Sequence, residues 1–297
     1  MTAGRGAGVG TGTGGPRYSV VVTTYHRPEL LAEALASVVA QTVTDLECIV
    51  VDDGSGTAAG VVPDDPRVRL VALDRNVGEA RARSAGVAAA RGEVLCFLDD
   101  DDRWEPFRLE LAEAALERAP VAICWSRWHD EHDPGGRLLE GWVGDEIVDV
   151  VAPSLGATAI RRDRFVGFDT SYAANGDVDL WIRQAAQDPV ATTPTVGHVV
   201  RRHDGVRHGN DDATRLAASH QLLQVHAAYF RGHRRARAFR TYRIAVLHAE
   251  AGRLARSLAW SARSLAARPS ARAGAHALRT VRAMARRAGR RRPPTSR

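Results

Sequence analysis

The sequence predicts an α/β fold: a mainly parallel, Rossmann-like sheet with helices on both faces, followed by an all-helical C-terminal appendage. Three observations carry this. Residues 17–126 alternate short β-rich runs with helical ones, the pattern of βα units. Beyond about residue 212 the pattern is helical throughout. The charge divides at nearly the same place, with net −13 over residues 1–200 and net +19 over residues 201–297, giving an acidic body and a basic tail.

The elements follow in order. Glycine-rich residues 4–10 lack the preceding strand and adjoining helix that a dinucleotide fingerprint requires, so residues 1–16 are expected to be a flexible leader. Strands are expected over 18–23, 47–51, 68–71, 93–98 and 121–125. Pro28 opens the first helix at a position that suits proline, and Leu30, Leu31, Ala34, Leu35, Val38 and Val39 give it one apolar face. A helix over 79–91 stops at Gly92. Residues 128–176 are weakly patterned, with one strand at 158–160, and long irregular segments of this kind carry function or overlie a site. A helix resumes over 178–186. Four more are expected over 213–230, 234–251, 254–267 and 271–288, broken at Gly232, Gly252 and Arg268-Pro269-Ser270. The expected division is a leader (1–16), a catalytic domain (17–211), a helical region (212–288) and a disordered basic tail (289–297).

Composition excludes several classes. At 44% apolar and 26% charged the chain is too hydrophobic for disorder. No window reaches the roughly 18 uninterrupted apolar residues of a membrane span, and a cytoplasmic location is expected. Cys48, Cys96 and Cys124 each fall in an apolar run, which suits reduced core thiols better than disulfides or zinc. All 41 basic residues are arginine, and they cluster in the C-terminal region. That region reads either as a solvated helical bundle or as a peripheral contact with an anionic membrane. Nucleic-acid binding fits less well, because aromatic residues are not interleaved with the arginines.

Three acidic motifs mark the candidate site. The second strand runs into Val51-Asp52-Asp53-Gly54-Ser55, placing two carboxylates at the carboxyl edge of the sheet, where open α/β folds bind ligands. A solvated turn is the alternative. The fourth strand ends in Asp99-Asp100-Asp101-Asp102-Arg103-Trp104. Four adjacent carboxylates repel one another unless water or a cation lies between them, and a hard cation such as Mg²⁺ or Mn²⁺, shared with a diphosphate, explains them best. Asp102 is expected to cap the helix that follows. The third motif, Gly176-Asp177-Val178-Asp179-Leu180-Trp181, opens a helix. Asp177 there is a helix cap or a general base, and Asp177 and Asp179 are too close to share a helical face.

Taken as an ordered set, these motifs resemble the family 2 glycosyltransferases of the GT-A fold. Thr23-Thr24-Tyr25-His26-Arg27-Pro28, Gln41-Thr42, Asn76-Val77-Gly78, Ala82-Arg83-Ser84-Ala85-Gly86 and Gly92-Glu93 complete the set. The resemblance is dense over residues 17–106 and sparse to about residue 202.

The resemblance implies a role for each position. Thr23 and Tyr25 would floor the nucleotide base and Asp53 would hydrogen-bond it. Arg83 would lie near the nucleotide or diphosphate, and Asp100 would face the ribose or sugar. Asp99 and Asp101 would hold Mg²⁺ or Mn²⁺. Asp177 would be the catalytic base, with Asp179, Trp181 and His203 as further acceptor or diphosphate contacts. Trp142 is a second candidate to stack on a sugar. The chain departs from the family pattern at Thr23 (for Pro), His26 (for Asn), Ser84 (for Asn) and Gly176 (for Glu), the last removing a carboxylate from the acceptor side. The Gln-x-x-Arg-Trp motif of processive synthases is absent.

The implied activity is metal-dependent transfer of one sugar, with inversion, from a UDP-, GDP- or dTDP-sugar to an acceptor hydroxyl on a cell-surface glycan, glycolipid or secondary metabolite. Two alternatives are a nucleotidyltransferase making nucleotide sugars, whose basic glycine-rich loop after the first strand is not seen at residues 24–27, and a degenerate sugar-nucleotide-binding module.

Overall fold

The computed structural model describes residues 15–128, 141–144, 147–150, 153–201 and 211–289. The chain runs β1 (Tyr18–Thr24), α1 (Pro28–Val39), β2 (Leu46–Asp52), β3 (Val68–Ala72), α2 (Glu79–Ala89), β4 (Val94–Asp99), β5 (Arg103–Trp104), α3 (Arg108–Leu116), β6 (Val121–Trp128), β7 (Gly141–Val143), α4 (Ile147–Val150), β8 (Thr158–Arg161), α5 (Gly176–Gln187) and β9 (Val190–Val200). Five helices follow: α6 (Asp212–Val225), α7 (Ala227–Gly232), α8 (Arg234–Glu250), α9 (Leu254–Ala267) and α10 (Ala271–Gly289).

The strands form one sheet in the order β3-β2-β1-β4-β8-β6-β9-β5, with β7 paired to β9. β3, β2, β1 and β4 are mutually parallel, and β8 is antiparallel to both β4 and β6. β2 is buried along its whole length, as a strand covered on both faces must be. Alternate side chains serve opposite layers. Val20 and Val22 pack with Leu31, Leu35 and Leu109 of α1 and α3, whereas Val21 packs with Ile49, Phe97 and Ala82 on the α2 face. On α1 the buried residues are Leu31, Ala34, Leu35 and Val38, the spacing of one helical stripe.

Strand register decides where the site lies. Thr24 stands beside Asp52, and Thr23 beside Asp99. The carboxyl ends of β1, β2 and β4 therefore deliver residues 23–27, 52–55 and 99–102 to one edge. The order also reverses at β1, with β2 on one side and β4 on the other, which opens the crevice used for ligands in such sheets.

The all-helical C-terminal region expected from the sequence is present, and it packs on the α/β body: Leu222, Phe230 and Ala236 share a buried cluster with Tyr172, Val178 and Ile182, so α6, α7 and α8 lie against α5. One expectation changes. The helix expected over 213–230 is two helices, broken at His226, where φ is −99° and ψ 34°. No local breaker residue marks that point, and His226 turns its ring onto Asp179 in α5. Cys48, Cys96 and Cys124 are free and buried, and burial pushes the Cys48 thiol up to about 12, which makes it unreactive.

Candidate functional site

The loop after β2 is held by its own carboxylates. Asp52 accepts from the Ser55 amide at 2.8 Å, the Ser55 hydroxyl at 2.7 Å and the Ala58 amide at 3.3 Å. Burial works against its charge, but these bonds prevail and hold the carboxyl below its usual range. Asp53, also buried, accepts from the amides of Val77 at 2.7 Å and Gly78 at 3.0 Å, so it clamps the segment before α2 to the end of β2. Gly54 between them has φ +77°, and a Cβ there would overlap the backbone of Arg75. Asp53 thus shapes this loop with both carboxylate oxygens engaged.

The end of β1 meets the acidic run. The Thr24 hydroxyl donates to Asp100 at 2.7 Å, and Arg27 Nη1 bridges Asp100 at 3.2 Å and Asp101 at 3.0 Å. Thr23 and Tyr25 are half-buried beside them, the Tyr25 ring lying edge-on to His26 at 4.3 Å between centroids. His26 has φ 56°, a left-handed conformation that histidine and asparagine both tolerate, which accounts for His at this position. Burial, reinforced by Asp101 and Asp99, lifts the Asp100 carboxyl to about 6 against the pull of Thr24 and Arg27.

On the other side of the run, Arg83 Nη2 donates to Asp99 at 2.5 Å and also pairs with Glu79. Burial disfavours the Arg83 charge, yet Glu79 and Asp99 outweigh it and raise the guanidinium above its ordinary value. The same pair holds Asp99 below the usual carboxylate range despite its burial.

Asp102 corrects the expectation made for it. It does not cap α3, whose N-terminal flank is Phe107 without a side-chain cap. Its carboxylate instead takes the Arg201 amide at 3.0 Å and His198 Nε2 at 2.9 Å, while His198 Nδ1 lies 2.9 Å from the Ser126 hydroxyl. His198 is fully buried, seated where a Cβ on Gly156 would overlap its ring. Oxygen atoms of Asp99, Asp101 and Asp102 all lie within 4.8 Å of one another, so the carboxylates able to share a cation among the described residues are these three. Three hard oxygen donors, with Arg27 and Arg83 beside them, fit a divalent cation that completes its shell from phosphate oxygens.

Asp177 and Asp179 part company on α5. Asp177 is half-buried, within electrostatic reach of Glu79, Arg83 and Arg240. Asp179 is 1% exposed, bound by Arg183 Nε at 2.9 Å and His226 Nε2 at 2.7 Å. Trp181 is fully buried and donates Nε1 to the Pro153 carbonyl at 3.0 Å. Neither Asp179 nor Trp181 has a surface to offer an acceptor, because α5 is buried on all sides from Val178 to Ile182. His203 lies outside the described residues, as does the side chain of Trp142.

Sequence reasoning missed Arg27 as the bridge between Asp100 and Asp101, His198 as the partner of Asp102, and Arg240. Arg240 comes from α8, is 7% exposed, and donates Nη1 to Asn175 Oδ1 at 2.8 Å. Burial drives its guanidinium down to about 10 even though Asp177 opposes the change. Only the motif containing Arg27 carried a visible signal; Arg240 is one of 23 arginines after residue 200.

Comparison with known proteins matches the Glycosyl transferase family 2 profile to residues 19–151. The chain is 34% identical over 194 residues to the uncharacterized glycosyltransferase YwdF of Bacillus subtilis, covering 60% of this chain and 71% of YwdF. It is 42% identical over 111 residues to the succinoglycan biosynthesis protein ExoO of Rhizobium meliloti, covering 36% of this chain and spanning only 31% of the length of ExoO. Among solved structures, the mannosyltransferase PcManGT of Pyrobaculum calidifontis, in complex with GDP-Man and Mn²⁺, superposes with a TM-score of 0.57 at 22% identity, covering 92% of this chain and 81% of that one. The fold is that of the GT-A glycosyltransferases.

Proposed function

The chain belongs to glycosyl transferase family 2, and from that footing we propose that it moves one sugar from a nucleoside-diphosphate donor to an acceptor hydroxyl, with inversion and with a divalent cation. The observation that carries this reading is the oxygen cluster of Asp99, Asp101 and Asp102 at the sheet switch point, with Asp177 within electrostatic reach of Arg83, the partner of Asp99.

A cation on these carboxylates would offset the charge that develops on the departing diphosphate. The chain's own groups do the rest. Thr23 and Tyr25 flank the base, and the loop clamped by Asp53 closes it in. Asp100, oriented by Thr24 and Arg27, accepts from a sugar or ribose hydroxyl. Arg83 holds Asp99 in place and adds positive charge near the phosphates. Asp177 removes the acceptor proton as the hydroxyl attacks the anomeric carbon from the face opposite the leaving group, which makes the reaction a single displacement. The complex of PcManGT with GDP-Man and Mn²⁺ supports the choice of donor class and metal.

No helix among the described residues is long and apolar enough to cross a membrane. In α10, Ala273, His276 and Thr280 are buried, whereas Leu278, Val281 and Met284 are exposed among Arg279, Arg282 and Arg286. We read this basic, amphipathic face as a peripheral contact with an anionic membrane.

The test is transfer from UDP-, GDP- and dTDP-sugars with Mn²⁺ or Mg²⁺, following nucleotide release and product anomeric configuration. Activity indifferent to chelation would remove the metal, and retention of configuration would remove the single displacement. Vesicle flotation with and without acidic lipid tests the membrane contact, which fails if binding at low salt does not depend on acidic lipid.

A further inference from the structure

A second concave site lies in the helical region, apart from the catalytic residues. It is a groove of about 440 Å³ between α6, α8 and α9, whose lining includes Leu216, His220, His248, Arg253, Arg256 and Trp260. That volume falls within the range of small-molecule sites.

Its chemistry is lopsided. Leu216 and Trp260 give an apolar wall, with His220 edge-on to the Trp260 ring at 5.0 Å between centroids and Arg263 stacked on that ring at 4.5 Å. The polar groups are cationic or neutral. Arg253 and Arg256 are exposed and form no ion pair among the described residues, and no carboxylate lines the groove. Burial, helped by the charges of Arg253, His220 and Arg256, lowers the His248 imidazole below its ordinary value.

Two further features point to a ligand. The α9 N-terminus opens here without a side-chain cap, and its first intrahelical bond is from the Ser257 amide to the Arg253 carbonyl. The amides of Leu254, Ala255 and Arg256 have no acceptor among the described residues, and such helix ends favour anions. Independently, His248 is 3% exposed, lines the groove, and buries Nδ1 without a hydrogen-bond partner. Orphaned buried polar atoms of this kind are rare and costly unless a ligand or water answers them.

We propose that the groove binds a single-chain phosphate amphiphile, with its phosphate at Arg253, Arg256 and the α9 N-terminus and its apolar chain along Leu216 and Trp260. A cation is excluded by the two arginines and the positive helix end. A nucleotide would need acceptors as well as donors to read a base edge, and beyond the two histidines no lining side chain offers an acceptor. The site does not depend on the catalytic reading, so either can fail alone.

The test is calorimetric titration of the full chain with octyl phosphate below its micelle concentration, alongside octyl glucoside and inorganic phosphate. One octyl phosphate should bind per chain, about tenfold or more tighter than either control, since each control lacks one half of the recognition. The Arg253→Gln/Arg256→Gln variant changes exposed residues only and should unfold at the wild-type temperature, yet bind octyl phosphate no better than octyl glucoside. Trp260→Ala should weaken octyl phosphate and leave inorganic phosphate unchanged. Equal affinity for octyl phosphate and either control, or undiminished binding to the double variant, overturns the proposal.

Discussion

Arg240 of α8 donates to Asn175, the left-handed residue that precedes α5, and so ties the helical region to the turn that presents Asp177 two residues later. A desolvated guanidinium with one hydrogen bond is an expensive way to hold a loop, and burial drives it down to about 10. Replacing it with methionine keeps the bulk and removes the tether. Arg240→Met should lower transfer about tenfold, as a displaced base does, without lowering the unfolding temperature. Steady-state kinetics at saturating donor, paired with calorimetry, check both halves.

Asp177→Asn preserves the shape at the start of α5 and removes the proposed proton acceptor. Transfer should fall about 10²-fold or more while donor binding, proposed to rest on the ends of β1, β2 and β4, persists. Wild-type turnover in this variant would assign the base elsewhere.

Asp101 shares the oxygen cluster with Asp99 and Asp102 and is anchored by Arg27. In Asp101→Asn the Mn²⁺ concentration for half-maximal activity should rise about tenfold or more, comparable to the loss when a ligand's support is removed. An unshifted metal titration would show that Asp101 is not a ligand.

Asp100 carries a stability cost with a definite sign. Burial raises its carboxyl to about 6, above the roughly 4 of an unfolded chain. Its charge therefore destabilises the fold as pH rises through about 6 and costs nothing below about 4. Asp100→Asn should unfold later than wild type at about pH 8, by about 2 kcal/mol, with the gain disappearing near pH 4. Its donor affinity should fall at the same time.

Asp179 behaves in the opposite sense. Burial disfavours its charge, but His226 and Arg183 overcome this and hold it below the ordinary range. Its contribution is complete above about pH 4 and is lost as pH falls through the lower folded value. Asp179→Asn should cost about 2 kcal/mol at neutral pH, the two proteins converging in acid. Denaturant unfolding across that range decides it.

The sheet and its acidic edge are legible in local sequence. Strands such as residues 47–51 and the helix from Pro28 are written in local periodicity, and Asp52, Asp53, Asp99, Asp100 and Asp101 follow from where those strands end. Packing settles which partners each carboxylate takes. Asp53 clamps Val77 and Gly78, Asp102 faces His198, and Asp179 is consumed by Arg183 and His226. Apart from Arg183, one turn along α5 from Asp179, these partners could not be read locally, because each is brought by a segment whose approach depends on packing rather than on neighbouring sequence; His198 lies 96 residues from Asp102. The break at His226 and the reach of Arg240 into the site share that cause: a helix states its own period, and only the surface it packs against determines which of its side chains becomes functional.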